Sequence, residues 1–348
     1  MTIATIFSTA FTHAMRPVLL LVVIFFLMPI SPLVHAAEIV PFHTFNQSPL
    51  AQIYGLPALE KATVVPSRKL AVTAVADLTS NMAIDVNGGD DIVLDGETYR
   101  TALVIRYGVG NGWEAGIDIP WVTHDGGFMD GFVAGFHNTF NLPQGDRDEV
   151  PRDRLLFSYT RDGTERFSVN SNSSGIGDIR LTGAYQLYQD EESPGSALAL
   201  RGMLKLPTGE SSNLHGSGSL DLALWLSGAD SYEVGDGEFG FFAGAGGILV
   251  GSGDVLADLQ RELVILGTIG IGWTPLDWLA LKTQFYAHSP FYKHSSLHQM
   301  GVSALQWLIG ATFAFTDSTA LDVGVSEDLA IAHASPDVSF HFALSTEF

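Results

Sequence analysis

Some short stretches of the sequence place a histidine and a serine two residues apart, a spacing that could activate a nucleophilic hydroxyl, and two of them stand out. The pairs are His294 with Ser296 and His333 with Ser335. Because side chains on a β-strand alternate between its two faces, both members of such a pair point to one side, and the imidazole can accept the serine proton. The chemistry that follows from this pattern is hydrolysis of an acyl ester.

Other patterns that support catalysis are missing from the sequence. It has no His-Glu-x-x-His motif, no Gly-x-Ser-x-Gly motif and no phosphate-binding loop. The lack of cysteine excludes a disulfide scaffold, a thiolate metal site and a cysteine nucleophile. With eleven histidines and many serines, pairs two residues apart are also expected by chance. We therefore predict no catalytic residue, and hydrolysis by a His-x-Ser pair remains an alternative function.

The acidic stretch 85–97, "DVNGGDDIVLDGE", offers oxygen donors of the kind that calcium prefers. Its spacing fails the helix-loop-helix calcium pattern, because Gly89 and Asp90 stand where an acid or amide and then a glycine are needed. Charge runs of this kind are usually solvated surface. We predict an exposed loop here, and neither a metal nor a cofactor anywhere in the chain.

The N-terminus has the three parts of a secretory signal. Arg16 precedes an apolar run over residues 18–30, and small residues follow up to Ala37, which indicates cleavage near Ala36. Cleavage removes one cation, Arg16, and no acid, so the net charge of -21 becomes -22. A chain this acidic is a poor partner for nucleic acid.

A period of two dominates the remaining sequence. In the last segment Val338, Phe340, Phe342 and Leu344 share one face, and the chain ends on Phe348. About twelve such segments reach the length of 9 to 11 residues that crosses a bilayer at a tilt, longer than the strands of most soluble sandwiches. They cover residues 69–81, 98–109, 112–122, 175–188, 196–206, 219–227, 238–250, 263–273, 278–288, 302–315, 319–327 and 338–348.

This pattern predicts an all-β fold, a transmembrane up-and-down antiparallel β-barrel over residues 67–348. A closed barrel distributes its lipid-facing residues at every second position, which explains a mean hydropathy of +0.22 without a long apolar run. The short connections 110–111, 274–277 and 316–318 all fall on one side, as periplasmic turns do. We expect the outer membrane of a Gram-negative bacterium, with its lipids and, through the strand ending at Phe348, the barrel-assembly machinery as partners.

Two regions lie outside the barrel strands. Residues 37–66 are interrupted by prolines and form either a periplasmic leader or a plug in the lumen. Residues 123–174 form a long extracellular loop with a hairpin over 154–160 and 165–170 and an amphipathic helix over 127–141. The helix carries a stripe of four phenylalanines, Phe128, Phe132, Phe136 and Phe140. We predict that this stripe forms a lid over the barrel mouth, the alternative being a helix along the outer leaflet.

The charged residues of the strands are predicted to face the lumen, since each would cost about 2 to 4 kcal/mol on the lipid side. They either pair and fill a narrow lumen or line a small polar pore. Two polar aromatic side chains on the same face, Tyr286 and His288, are added to the candidates. The charged candidates are Asp77, Arg106, Glu114, Asp118, Asp178, Arg180, Arg201, Lys205, Asp221, Lys282 and Asp322.

Several stretches together resemble a proteobacterial family catalogued as domain of unknown function 3187. They are residues 46–57 "NQSPLAQIYGLP", 126–147 "GGFMDGFVAGFHNTFNLPQGDR", 175–181 "GIGDIRL", 205–210 "KLPTGE" and 288–292 "HSPFY". Membership implies an outer-membrane barrel and no established activity. The family supplies no functional residues that could be transferred to this chain.

The barrel pattern and the lumen charges favour a passive or gated channel for a small molecule, hydrophobic ones included. Two alternatives stay open. One is a lipid hydrolase of the outer leaflet, although the parity of the last strand turns His333 and Ser335 toward the lumen. The other is a structural or surface component without transport.

Overall fold

The computed structural model describes residues 37–131, 133, 135, 151–191, 193, 195–235 and 237–348, and the backbone alone of residues 330–333. Within these residues the chain forms fifteen strands. They are β1 (Leu70–Asn87), β2 (Asp90–Gly110), β3 (Trp113–Asp125), β4 (Leu156–Arg161), β5 (Thr164–Val169), β6 (Ser173–Ile176), β7 (Arg180–Gln189), β8 (Ala197–Lys205), β9 (Asp221–Val234), β10 (Gly237–Leu249), β11 (Leu263–Leu276), β12 (Leu279–His288), β13 (Ala304–Thr316), β14 (Thr319–His333) and β15 (Val338–Glu347).

Twelve of the strands close an antiparallel barrel. Each pairs with its neighbour in the chain, except that β3 pairs with β7 across the long loop. The barrel closes where β1 pairs with β15, from Ala71 opposite Glu347 to Ser80 opposite Val338. All twelve predicted segments correspond to barrel strands, so the predicted fold class is confirmed.

The outer surface of the barrel is apolar. On β9, for example, Leu222, Leu224 and Leu226 are exposed, whereas Ala223 and Trp225 between them are buried toward the lumen. Alternation of this kind is what a lipid-facing wall requires. No helix in the described ranges is long and apolar enough to cross a membrane.

The acidic stretch 85–97 is a strand hairpin, so the prediction of a solvated loop was wrong. Strands β1 and β2 continue beyond the barrel rim and turn at Gly88 and Gly89, whose φ angles are +60° and +90°. Ile92 is fully buried in a cluster with Phe157 of β4. The acids between these apolar residues concealed the alternation.

The described part of the predicted helix lies against the outside of the barrel. Met129 and Val133 pack on Val338, next to Leu78 and Phe340. These wall residues alternate with lumen-facing ones, so they belong to the outward face. The placement matches the alternative of a helix along the outer leaflet.

Of the four phenylalanines in the stripe, three fall outside the described residues: Phe132, Phe136 and Phe140. Phe128 is 66% exposed and stacks on Tyr99 of the outward face, with 6.3 Å between the ring centroids. The structure therefore does not place Phe128 over the barrel mouth.

Candidate functional site

Residues 37–66 occupy the lumen, and we call this segment the strap. It begins at the periplasmic end, where the Ala37 amide donates to the Asp277 carbonyl (2.6 Å). It rises to the extracellular loops and returns to the periplasmic end before β1 begins. Most of its side chains are buried. The segment is thus largely enclosed by the barrel wall.

The ascending arm of the strap is held by single polar side chains of the wall. Because the strap has no strand partner of its own, its backbone and side-chain polar groups need partners of this kind. The contacts are Phe42 N to Gln284 Oε1 (2.9 Å), Thr44 Oγ1 to Asp77 Oδ1 (3.0 Å) and Asn46 Nδ2 to His288 Nε2 (2.9 Å).

The turn of the strap is fixed under the extracellular loops by aromatic rings. Tyr54 stacks on Phe291 with 4.5 Å between centroids and meets Tyr292 edge-on at 5.9 Å. The Tyr292 hydroxyl donates to the Leu50 carbonyl (3.0 Å), and Gln260 Nε2 donates to the Tyr54 hydroxyl (3.0 Å). We call Tyr54, Phe291 and Tyr292 the apex latch.

The descending arm again contacts the wall through hydrogen bonds to its backbone. The contacts are Gly55 N to Asp221 Oδ2 (2.8 Å), Arg180 Nη1 to Leu56 O (2.9 Å), Gln186 Nε2 to Ala62 O (2.9 Å) and Val65 N to Glu114 Oε2 (2.8 Å). Three of the family-resemblance stretches therefore meet in space. The stretch 46–57 forms the turn of the strap, and the stretches 175–181 and 288–292 of the barrel hold it from two sides.

Glu60 is the strap's buried carboxylate. It bridges two wall cations, Arg106 at 2.8 Å and Arg201 at 3.2 Å. Burial opposes ionisation of Glu60, but the two guanidiniums prevail and hold its pKa well below the usual range. The carboxylate is therefore charged and cross-links β2 and β8 through the strap.

Glycines of the wall make room for the strap. A Cβ added to Gly272 would lie 2.6 Å from Ile39 Cγ2, and one added to Gly324 would lie 3.3 Å from the Phe42 ring. A Cβ on Gly244 would overlap Leu59. Close approach of the strap thus explains the glycines at positions 244 and 272 of β10 and β11.

The structure places the predicted lumen residues on the inner face of the barrel, with Asp322 the most accessible of them. Most of the charges pair with one another within the wall. The wall pairs are Arg106 with Asp118 (2.6 Å), Arg201 with Glu114 (2.8 Å), Lys205 with Asp178 (2.5 Å) and Asp221 (3.3 Å), and Lys282 with Asp322 (3.0 Å).

Asp178 joins two of the family-resemblance stretches, 175–181 and 205–210. Its Oδ1 accepts the Gly209 amide (2.8 Å), and its Oδ2 accepts Lys205 Nζ and the Ser217 amide (3.2 Å). Asp178 therefore fixes the loop after β8 to the wall at the extracellular side.

Sequence reasoning missed Arg100, Phe45 and Glu60. The Phe45 ring contacts two guanidiniums, with its centroid 5.0 Å from Cζ of Arg100 and 4.4 Å from Cζ of Arg180. Arg100 has the same parity as Arg106 on β2, so the alternation could have identified it. Phe45 and Glu60 sit in a segment without periodicity, where no sequence signal indicated a role.

In the part of the chain that the structure describes, His294 and Ser296 make no hydrogen bond to each other, and the neighbouring groups are engaged elsewhere. The His294 carbonyl accepts a hydrogen bond from Arg161, and the hydroxyl of Ser295 donates to Asp90 Oδ2 (3.1 Å). Ser335 is partly buried, and the His333 side chain lies outside the described residues. Among the described residues, no group of three or more histidines and acids is placed to hold a metal ion.

Among the described residues, the two ends of the lumen differ in how much space they enclose. A cavity of about 690 Å³ lies at the periplasmic end between the two arms of the strap, lined by polar residues that include Glu38, Lys61 and Gln186. At the extracellular end the space beside Leu50 and Phe291 measures about 10 Å³. The strap therefore divides the lumen into a wet vestibule and a packed outer seal.

Twelve closed strands, an apolar outer band and a polar lumen define the class of outer-membrane β-barrels. Residues 18–348 match the family described as "Protein of unknown function (DUF3187)", and the chain belongs to that family. The resemblance seen in the sequence is thereby confirmed.

A solved structure of an outer-membrane channel shows the same fold. The COG4313 outer membrane channel from Pseudomonas putida F1 is similar with a TM-score of 0.52 and 13% identity, over 82% of this chain and 98% of that chain. The NanC porin has a TM-score of 0.41 and 9% identity, over 80% of this chain and 98% of that chain. A search of the curated proteins found no match.

Proposed function

We propose that this protein is a gated passage for small molecules across the outer membrane, and that the strap is its gate. The observation that carries the proposal is the pairing of lumen charges within the wall, as in Lys205 with Asp178 and Lys282 with Asp322. These wall pairs keep their compensation when the strap leaves. The barrel without the strap is then a polar pore, whereas a permanent core would depend on the strap for its charge balance.

The way in which the strap is attached also supports a removable gate. No strand of the barrel uses the strap as a partner, so its departure breaks no sheet hydrogen bond. Both of its arms end at the periplasmic side, where Ala37 and Val65 contact the rim. A barrel of about twelve strands has room for a pore, between the filled eight-stranded and the open sixteen-stranded sizes.

Export and assembly complete the proposal. Signal cleavage near Ala36 would start the mature chain at the periplasmic mouth, where Ala37 meets Asp277. The strand that ends at Phe348 would be the contact for the assembly machinery. The exposed leucines and aromatics of the outer band would face outer-membrane lipids.

Deletion of residues 42–62 tests the proposal. The cut ends lie at the same periplasmic side, so the deletion removes the gate and leaves the barrel strands intact. We expect a steady conductance in planar bilayers and faster entry of small solutes into proteoliposomes than for the full chain. A folded, heat-modifiable barrel that shows neither conductance nor solute entry after the deletion would contradict the proposal and favour a structural component.

A further inference from the structure

Arg180 differs from most of the other cations of the wall because its guanidinium donates hydrogen bonds to the strap, while the wall carboxylates Asp118 and Asp178 attract it at longer range. Its side chain is buried, Nη1 donates to the Leu56 carbonyl (2.9 Å), and Nη2 donates to the Tyr54 carbonyl (3.4 Å). Its Nε has no hydrogen-bond partner, and in the described part of the chain no carboxylate forms an ion pair with it. Neutral carbonyls of a removable segment thus hold a buried cation.

Arg100 on the neighbouring side of the lumen is also only loosely paired. Its Nη1 lies 3.9 Å from Asp77 Oδ2. The other oxygen of that carboxylate already binds His341 (2.7 Å) and Thr44 (3.0 Å). Asp77 therefore compensates the charge of Arg100 only in part, because its carboxylate has closer partners.

Phe45 of the strap brings these two arginines together. Its buried ring lies within about 6 Å of both guanidiniums, the distance at which a cation is attracted to an aromatic face. When the strap leaves, the ring and the two carbonyls leave together. The guanidiniums of Arg100 and Arg180 then lose the aromatic ring that both of them contact.

We infer that Arg100 and Arg180 form a binding site for a monoaromatic carboxylate in the open lumen, and that Phe45 is its internal occupant. The inference rests on the proposed gate. A benzoate-like ligand restores both lost interactions, since its ring takes the place of Phe45 and its carboxylate can accept two hydrogen bonds from a guanidinium. A neutral aromatic restores only the first interaction, and an aliphatic carboxylate only the second.

Calorimetric titration tests the site with three probes, benzoate, cyclohexanecarboxylate and toluene. The proteins are the full chain, its Phe45→Ala variant and the barrel lacking residues 42–62. We expect the full chain to bind none of the probes, because Phe45 fills the site. The other two proteins should bind benzoate at least about tenfold more tightly than either analogue, a difference of one cation–π contact or one charged hydrogen bond.

Matched charge variants identify the residues that hold the probe. In the barrel without the strap, Arg180→Met should weaken benzoate binding by at least about tenfold. Lys282→Met removes a lumen cation that is paired with Asp322 (3.0 Å), so benzoate affinity should stay within about threefold. Equal losses in the two variants, or equal binding of benzoate and cyclohexanecarboxylate, would overturn the site.

Failure of the site and failure of the gate give different results. A strap-deleted barrel that conducts but does not bind benzoate disproves the site and leaves the gate standing. A strap-deleted barrel that binds benzoate without conducting disproves the gate. If Phe45→Ala does not fold, the strap-deleted protein decides the question.

Discussion

The two ends of the lumen are closed by different physical means. At the extracellular end, stacked aromatic rings of the apex latch leave a space of about 10 Å³. At the periplasmic end, the arms of the strap border a polar cavity of about 690 Å³. The outer end is a packed apolar seal, and the inner end is accessible to water.

This difference indicates where the barrier to passage lies. Water already reaches the base of the strap, so the hydrogen bonds there can be exchanged at little cost. Separating Tyr54 from Phe291 and Tyr292 exposes buried aromatic surface, which is costly. We therefore expect changes at the apex to open the barrel more than changes along the arms.

Tyr54→Ala should have the largest effect. Loss of a buried aromatic ring costs about 3 to 5 kcal/mol, and here it lowers the free energy that holds the strap in the lumen. The measurement is the open probability of single barrels in planar bilayers, which should rise strongly. Tyr54→Phe keeps the stack and loses only hydrogen bonds of the hydroxyl, from Gln260 (3.0 Å) and to the Val255 carbonyl (3.5 Å), so it should stay near the closed parent. Equal behaviour of the two variants would show that the seal is not aromatic.

Glu60→Gln should have the next largest effect. It breaks the bridge from the strap to Arg106 and Arg201, yet these keep Asp118 and Glu114, so we expect a loss of about 1 to 3 kcal/mol in docking. Protease cleavage of the strap from the periplasmic side should become faster.

Glu38→Gln is the matched control for that variant. Glu38 is the strap's other acid, and its carboxylate is 67% exposed beside Lys61. Exposed pairs of this kind are worth at most about 1 kcal/mol. If Glu38→Gln loosened the strap as much as Glu60→Gln, the lumen bridge would not be what holds the arm.

Acid should open the barrel through His43. Burial lowers the pKa of this imidazole below 6.5, so the docked strap needs it neutral. The released strap binds a proton below pH 6.5, and docking must weaken as the pH falls below that value. Conductance should rise between pH 7 and about pH 5. His43→Gln should remove this rise, and an unchanged rise in the variant would assign it to another group.

Glu60 contributes differently to the same titration. Its pKa is held low, so its ionised form stabilises the docked strap above the pKa of the released carboxyl. That contribution is lost only as the pH falls through the lowered value. The rise in conductance near neutral pH is therefore expected to persist in Glu60→Gln.

Gly272→Ala should have the smallest effect. Its added methyl group would lie 2.6 Å from Ile39 Cγ2 and 3.1 Å from the Leu281 carbonyl oxygen, so Ile39 must move and the ascending arm should loosen by about 1 kcal/mol. Gly267→Ala on the same strand is the control, because a Cβ there meets only ordinary contacts at 3.7 Å. Strap accessibility to protease should increase in the first variant and stay constant in the second.

The barrel could be predicted from the sequence because its signal is local. Each strand carries its own alternation, as in Leu222, Leu224 and Leu226, and membrane lipid imposes the same rule on every strand. The same pattern predicts that the side chains of Arg106 and Asp178 face the lumen. The error at residues 85–97 came from counting acids while overlooking the alternation of Ile92 and Leu94.

The strap could not be placed from the sequence because its signal is not local. Its irregular backbone is fixed by contacts such as Asn46 to His288 and Gly55 to Asp221, which join residues far apart in the chain. The glycines that make room for it are likewise scattered over several strands. Only a three-dimensional structure brings Phe45 into contact with Arg100 and Arg180.

A reversible lock on the strap tests the gate most directly. The chain has no cysteine, and a Cβ on Gly55 would lie 2.9 Å from Asp221 Cβ, so G55C with D221C needs only a small shift to reach the disulfide spacing of about 3.8 Å. Lys205 keeps its bond to Asp178 (2.5 Å) in this variant.

The measurement is the conductance of one locked barrel before and after a reductant is added. We predict a silent barrel that begins to open once the disulfide is reduced. Equal conductance in the oxidised and reduced states would contradict the account, because solute would then pass without movement of the strap.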